Sequence, residues 1–200
     1  MLTIVTISGT SRPNNYTSFA LEVVNEAFRK RDAKVEYFDA RELTLNFPGS
    51  PTTDDAKRMQ EACRKAAAVI IASPEYHGTF AAMTKLVIEN MGFPSALEGK
   101  PVSLLGVASG RIGAIKTLEQ LRGVCAHVGA VTLPGAVSIA GVHQAFDKEG
   151  NCTNEEVEKM LNSLAENTLQ YIRHAICPRL ILESQVRQDD DADEPWTTSL

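Results

Sequence analysis

The sequence predicts an α/β protein, a parallel sheet of five strands held between two layers of helices. Three observations predict it. Short apolar runs alternate with stretches of helical periodicity along most of the 200 residues, the pattern of repeated strand–helix crossovers. The run AAVIIAS at 67–73 is apolar throughout, as a strand covered on both faces must be. No internal repeat and no second domain interrupt the alternation.

The first strand spans about residues 2–7, where Ile4, Val5 and Ile7 suit a buried parallel position. It breaks into SGTSRPNN, and a helix follows from about Tyr16 to residue 30. A second strand, KVEYF near 34–38, leads through a polar, proline-containing loop to a helix near 53–67. The third strand, 67–73, ends in SPEYHGT and enters a helix near 80–91. A fourth, PVSLLGV at 101–107, is followed by ASGRIG and a helix near 114–127. A short fifth strand near 130–138 is interrupted by Pro134 and Gly135. The last helix runs from about Asn154, whose side chain can cap it ahead of Glu155 and Glu156, to about His174.

Five strands and five helices in alternation fit the three-layer, flavodoxin-like sandwich of strand order 2-1-3-4-5. That order puts a ligand outside the strand ends, at the switch between strands one and three. The loops after strands one, three and four then share a site. These are the three unusual loops of the chain, SGTSRPNN, SPEYHGT and ASGRIG, whereas DARELTLNFPGSPTTD after strand two reads as a surface crossover.

Their chemistry is specific. In the first loop Gly9 permits a tight turn. Thr10, Ser11, Asn14, Asn15 and Thr17 offer neutral donors, and Arg12 adds a permanent cation with a planar fork of N–H groups. A strand feeding such a loop into a helix N-terminus makes an anion cup. No lysine lies between Met1 and Arg29, which excludes a Walker A loop, and Gly9 stands alone, which excludes Gly-x-Gly-x-x-Gly. Side chains in place of bare backbone suit a terminal phosphate monoester. In the second loop Pro74 stiffens the strand exit, Tyr76 offers a flat face and Gly78 permits close approach. In the third, Ser109 donates, Gly110 and Gly113 expose backbone, and Arg111 adds charge. An anionic tail beside a planar ring describes flavin mononucleotide, FMN.

Composition narrows the class. Net charge is −5, and the stretch from Glu183 onward, with six acids and one base, carries all of it. Residues 1–182 are therefore neutral overall and form the expected single domain; 183–200 is read as an acidic, disordered tail. A neutral domain argues against nucleic acid as a partner. The scattered cysteines and histidines lack metal-ligand spacing. No long apolar run or N-terminal signal is visible, so no membrane partner is expected and a cytoplasmic location is.

These loops resemble those of the NAD(P)H-dependent FMN reductases, with their quinone, azo-compound and chromate reductase relatives. GTSR, Gly9 to Arg12, matches the family's Gly-Ser-x-Arg-x-x-Ser loop with Thr10 for Ser and Asn15 at the later Ser position, and NYTS, Asn15 to Ser18, continues it. SPEYHGTFAAMTKLVIENM matches its Pro-Glu-Tyr-Asn signature at Pro74, Glu75 and Tyr76, with His77 in place of Asn. SGRIGAIKTLEQLR is similar to its third turn, with Ala114 at the second Gly. The resemblance implies bound FMN, NADPH or NADH as donor, and a homodimer or homotetramer. It implies that Thr10, Arg12, Asn15, Tyr16 and Thr17 surround the phosphate. Pro74, Glu75, Tyr76 and His77 would border the ring, and Ser109 to Gly113, with Gly110 and Arg111, would close its other side. His77 would couple its protonation to flavin charge near neutral pH.

No nucleophile or acid–base triad is evident, and none is needed where the cofactor carries the reaction. The expected activity is hydride transfer from nicotinamide through FMN to free flavin, a quinone, an azo compound or a similar small acceptor. Glu75 is expected to accept bonds from backbone or a neighbouring subunit. His127 and His174, on predicted helices, are expected to be structural. Phe80, Met83, Val87, Met91 and Phe93 form more apolar surface than one helix needs for its own sheet. A flavodoxin-like carrier or a non-catalytic flavin-binding protein are the alternatives. A phospho-receiver domain needs acids where this chain has Ser8 and Ser73.

Overall fold

A computed structural model of the chain describes residues 2–179. Its elements are β1 (Thr3–Ser8), α1 (Tyr16–Arg29), β2 (Lys34–Asp39), α2 (Asp54–Lys65), β3 (Ala68–Tyr76), β4 (Thr79–Phe80), α3 (Ala82–Glu89), β5 (Pro101–Val107), α4 (Ile115–His127), β6 (Val131–Thr132), β7 (Val137–Ile139) and α5 (Glu155–Tyr171). A turn of 3-10 helix, Val142–Gln144, follows β7, and a π-helical turn, Ile172–Ile176, follows α5.

The sheet order is β2-β1-β3-β5-β6, and β7 also pairs with β5. Every pair along this path is parallel. This is the expected flavodoxin-like order, and it brings the ends of β1, β3 and β5 side by side. Ser8 stands opposite Ala72, and Pro74 opposite Val107.

Strand number departs from expectation in two places. The fifth strand divides in two: β6 pairs with Pro101 and Val102, and β7 with Leu105 to Val107. Between them Pro134 has no N–H to give a ladder, and Gly135 has φ +79°. The second departure is at SPEYHGTF, expected to be a loop. β3 instead continues through Pro74, Glu75 and Tyr76, then turns back as β4, with Glu75 opposite Phe80 and Tyr76 opposite Thr79. α3 accordingly starts at Ala82, two residues later than expected.

Alternation along the strands builds one core on each face of the sheet. Ile4, Ile70, Ala72, Leu105 and Val107 share a cluster with Leu21, Val24 and Phe28 of α1 and Leu161, Leu164 and Leu169 of α5. Val5, Ile7, Val69, Ile71, Val102 and Leu104 share the other with Met59 and Cys63 of α2, Val87 of α3 and Leu121 and Cys125 of α4. α5 starts as expected: Asn154 Oδ1 accepts from the N–H groups of Glu156 and Val157, and Glu155 and Glu156 lie in its first turn.

Among the described residues no helix is long and apolar enough to cross a membrane, and no three His, Cys, Asp or Glu side chains group to hold a metal. The domain boundary expected at 182/183 and the acidic tail at 183–200 lie outside the described residues.

Candidate functional site

The first loop is shaped by its own side chains. Gly9 N donates to Ala72 O at 2.8 Å. A Cβ on Gly9 would stand 2.3 Å from Thr84 Oγ1, so glycine is required. Asn15 caps α1: its Oδ1 accepts from Ser18 N at 2.7 Å, and its Nδ2 donates to Arg12 O at 2.8 Å. Thr10 is fully buried, and its Oγ1 accepts from Arg12 N at 3.3 Å. Thr10 and Asn15, expected as ligand donors, are thus engaged in holding the loop. The N–H groups of Tyr16 and Thr17 begin α1 and have no carbonyl one turn back. The exposed Arg12 guanidinium lies over the Tyr76 ring, 4.8 Å from its centre, a cation on the electron-rich face. The loops after β1 and β3 meet through this pair.

The second loop is a hairpin. Its central residues His77 and Gly78 have φ of +52° and +77°, the backbone of a type I′ turn, which favours Asn and Gly. The Asn of the family signature suits that conformation, and His77 departs from it. His77 is exposed at the turn and does not line the cleft described below. Gln120 of α4 pins the turn: its Nε2 donates to Gly78 O at 3.1 Å, and its Oε1 accepts from Thr79 Oγ1 at 2.6 Å. Glu75 Oε2 accepts from Thr117 N at 3.1 Å. Thr117 is the third residue of α4, whose N-cap, Ala114, has no capping side chain. Glu75 therefore supplies from another strand the acceptor that α4 lacks, with a negative charge at the positive end of the helix.

The third loop is fixed by backbone. Gly110 O accepts from Gly113 N at 3.2 Å and from Gly141 N at 3.1 Å. Gly113 has φ +79°, and a Cβ there would stand 2.6 Å from Ser138 Oγ, which accepts from Ala114 N at 2.8 Å. Gly110 and Gly113 shape the turn, and Arg111 is exposed beside them.

A cleft of about 270 Å³ opens where these loops meet. Of the expected site residues, Arg12, Asn15, Tyr16, Thr17, Pro74, Glu75, Tyr76 and Ser109 line it; Gly9, Thr10, His77, Gly110, Arg111 and Gly113 do not. Asn14, read from the sequence as a donor of the first loop, lines it too, as do Pro13, Val107, Ala108 and Val142, which were not singled out. Pro13 belongs to the same loop as Asn14. Val142 had no signal in the sequence; it arrives because β7 runs beside β5, where Val142 N donates to Ala108 O at 3.1 Å.

Beside the first loop, at the end of β2, Asp39 is almost wholly buried. Burial pushes its carboxyl up, but the side-chain and backbone N–H bonds from Arg41 outweigh that and hold it below the usual carboxylate range. Tyr37, which donates to Asp39 Oδ2 at 3.2 Å, is raised, first by burial.

A larger cavity, about 970 Å³, lies elsewhere, along α3 and α4, and is lined in part by Phe47, Phe80, Phe93, Lys85, Glu89 and His127. Val87 and Met91, expected on an outward apolar face, are fully buried in the chain's own core. Phe93 is fully exposed and Phe47 is 75% exposed, so the apolar surface sits on two loops flanking the groove. His127, on α4 as expected, is exposed and lines this groove.

The sequence model of the NADPH-dependent FMN reductases matches residues 2–144, a span that holds every loop of the cleft. The chain belongs to the NADPH-dependent FMN reductase family. Its FMN and NAD(P)H dependence and its standing as an oxidoreductase follow from that membership. The FMN-dependent NADPH-azoreductase of Staphylococcus aureus is 28% identical over 153 residues, 72% of this chain and 80% of the relative. Among solved structures, the flavoenzyme NAD(P)H:(acceptor) oxidoreductase FerB of Paracoccus denitrificans superposes with a TM-score of 0.71 at 20% identity, over 86% of this chain and 98% of its own. An NADH:FMN oxidoreductase, EmoB, in its apo form gives 0.71 at 21% identity, over 92% and 100%. At such identities the two structures speak for the fold.

The residues present fit FMN. A guanidinium and two helix-terminal N–H groups in the cleft suit a phosphate monoester, and the Tyr76 ring, over which that guanidinium lies in the ligand-free chain, suits a planar system. The donors sit on the ends of neighbouring strands, where this fold binds its ligands.

Proposed function

We propose that the chain takes hydride from NADPH or NADH through FMN bound in this cleft and passes it to free flavin, a quinone, an azo compound or a similar small acceptor. The observation that carries the reading is the meeting of Arg12 with Tyr76 at the N-terminus of α1. Arg12 and the N–H groups of Tyr16 and Thr17 would hold the phosphate. Thr10 and Asn15 would keep that cup in shape. Pro74, Glu75 and Tyr76 would border the ring on one side, and Ser109 on the other, with His77, Gly110, Arg111 and Gly113 framing the open edge. Bound FMN supplies the hydride acceptor and donor. The protein orients the reactants and controls access, with no side chain required to move a proton. Glu75, bonded to Thr117 N, serves the frame of the site.

A flavin ring over this cleft would offer one surface that nicotinamide and acceptor reach in turn. Sharing one surface predicts alternation. Steady-state rates at varied NADPH and quinone should give parallel double-reciprocal lines, and excess acceptor should compete with NADPH. Intersecting lines would require both reactants to bind together and would overturn the shared surface.

We propose further that the working form is a homodimer or homotetramer. Support comes from the apolar groove along α3 and α4 with Phe47 and Phe93 exposed beside it. The proposed compartment is the cytoplasm. All four cysteines are free, and burial pushes the Cys63 and Cys125 thiols up to about 12, which suits inert core residues in a reducing environment.

A further inference from the structure

A buried hydroxyl chain ties the first loop of the site to the second. Thr84, in the first turn of α3, has no exposed surface. Its Oγ1 donates to Gly9 O at 2.7 Å and lies 2.8 Å from Ser73 Oγ. Ser73, equally buried at the end of β3, accepts from Ala81 N at 3.1 Å. Ser73 Oγ also lies 3.0 Å from Pro74 O. With the single Thr84 hydroxyl proton on the Gly9 carbonyl, Ser73 Oγ remains within bonding distance of both Thr84 Oγ1 and the Pro74 carbonyl at the start of the ring ledge. Gly9 is then gripped on both sides, by Ala72 O on its N–H and by Thr84 on its carbonyl. Three residues after Gly9 comes Arg12; immediately after Ser73 come Pro74, Glu75 and Tyr76. One three-atom path of polar groups thus spans the root of the phosphate cup and the root of the ring ledge.

Neither neighbour could replace it. The Gly9 carbonyl is the last before the cup, and in the buried space it occupies an apolar neighbour would leave it without a partner. Packing alone would not set the spacing either, because a methyl in place of the hydroxyl fills the same volume and grips nothing. We propose, on the footing that the cleft holds FMN, that Thr84 is a positioning residue: its hydroxyl fixes the distance between phosphate cup and ring ledge, so that one ligand satisfies both at once. It touches no part of the ligand.

The consequence is a coupling between the two ends of FMN. A ligand that uses only the ring ledge does not need the spacing; a ligand that uses both ends does. Riboflavin and FMN differ by the phosphate and so measure the coupling directly. FMN and riboflavin are titrated into flavin-free wild-type protein, Thr84→Val and Thr84→Ser, reading flavin fluorescence. In Thr84→Val the preference for FMN over riboflavin should fall about 3- to 10-fold, the worth of one buried neutral hydrogen bond. Riboflavin affinity should hold, and Thr84→Ser, which keeps the hydroxyl, should restore the preference. A general loosening of the fold would weaken both ligands alike. Equal losses for both, or an unchanged preference in Thr84→Val, would overturn the role. Should Thr84→Val not fold, Ser73→Ala cuts the same chain from its other end and must lower the same preference. Wild-type protein that binds neither flavin would instead overturn the FMN reading itself.

Discussion

Arg12 sits at the point where two loops meet, and its charge has two partners to serve. Its guanidinium lies over Tyr76, and it lines the same cleft as Tyr16 and Thr17, whose N–H groups begin α1 with no carbonyl one turn back. A charge-assisted bond to phosphate contributes roughly 1.5–3 kcal/mol, so Arg12→Ala should weaken FMN about 10- to 150-fold. Riboflavin should be nearly unaffected, and equal losses for both would make Arg12 structural. The types of residue in the cup were legible in the sequence, yet their division of labour was not. Asn15 and Thr10 read as donors because their side chains can donate; only the fold reveals that Ser18 N and Arg12 engage them first. Asp39 belongs to the same scale. Its folded carboxyl titrates below its unfolded value, so the stability it lends is complete above about pH 4 and is lost as pH falls through the folded value. Asp39→Asn should lower stability at neutral pH by about 1.5–3 kcal/mol and flatten that acid loss. Chemical denaturation at a series of pH values checks both; an unchanged acid slope would remove Asp39 from the account.

α4 begins without a cap of its own and borrows one. Ala114 offers no acceptor, and Glu75 reaches from the end of β3 to bond Thr117 N. Glu75→Ala should cost about 0.5–2 kcal/mol, the usual loss for a helix cap. Glu75→Gln, which keeps an oxygen acceptor, should cost less. Denaturant melts of the two variants compare them, and equal losses would trace the effect to charge rather than to the bond. A cap supplied across 42 residues has no local signature, so the helix was legible from its periodicity while the reason for its start was not. The same holds for the hairpin at His77 and Gly78. The sequence places Gly78 two residues beyond Tyr76 but puts His where a type I′ turn favours Asn, and the loop reading of SPEYHGT hid β4. Strong periodicity made α1 and α5 plain, and unbroken apolar runs made β3 plain. Pro134 and Gly135 marked where the last strand divides without saying that both halves would still pair with β5.

For the whole molecule, topology did most to make the site readable. Strand order 2-1-3-4-5 follows from the count and alternation of elements, and it alone says which three loops must converge. What single-chain patterning could not settle is which apolar residues the chain keeps for itself. Val87 and Met91 go to the core, while Phe93 is left fully exposed beside the groove along α3 and α4. Light scattering should find a dimer or tetramer, and Phe93→Glu should shift it toward monomer. A flavin-loaded, active monomer would contradict the proposed assembly. The central claim is two-electron reduction at one FMN site, and anaerobic mixing of FMN-loaded protein with NADPH tests it most directly. Prompt and complete bleaching of the flavin absorbance is expected with no other protein present. An oxidised spectrum that persists under NADPH alone would contradict it and move the chain to the carriers or the flavin-binding proteins.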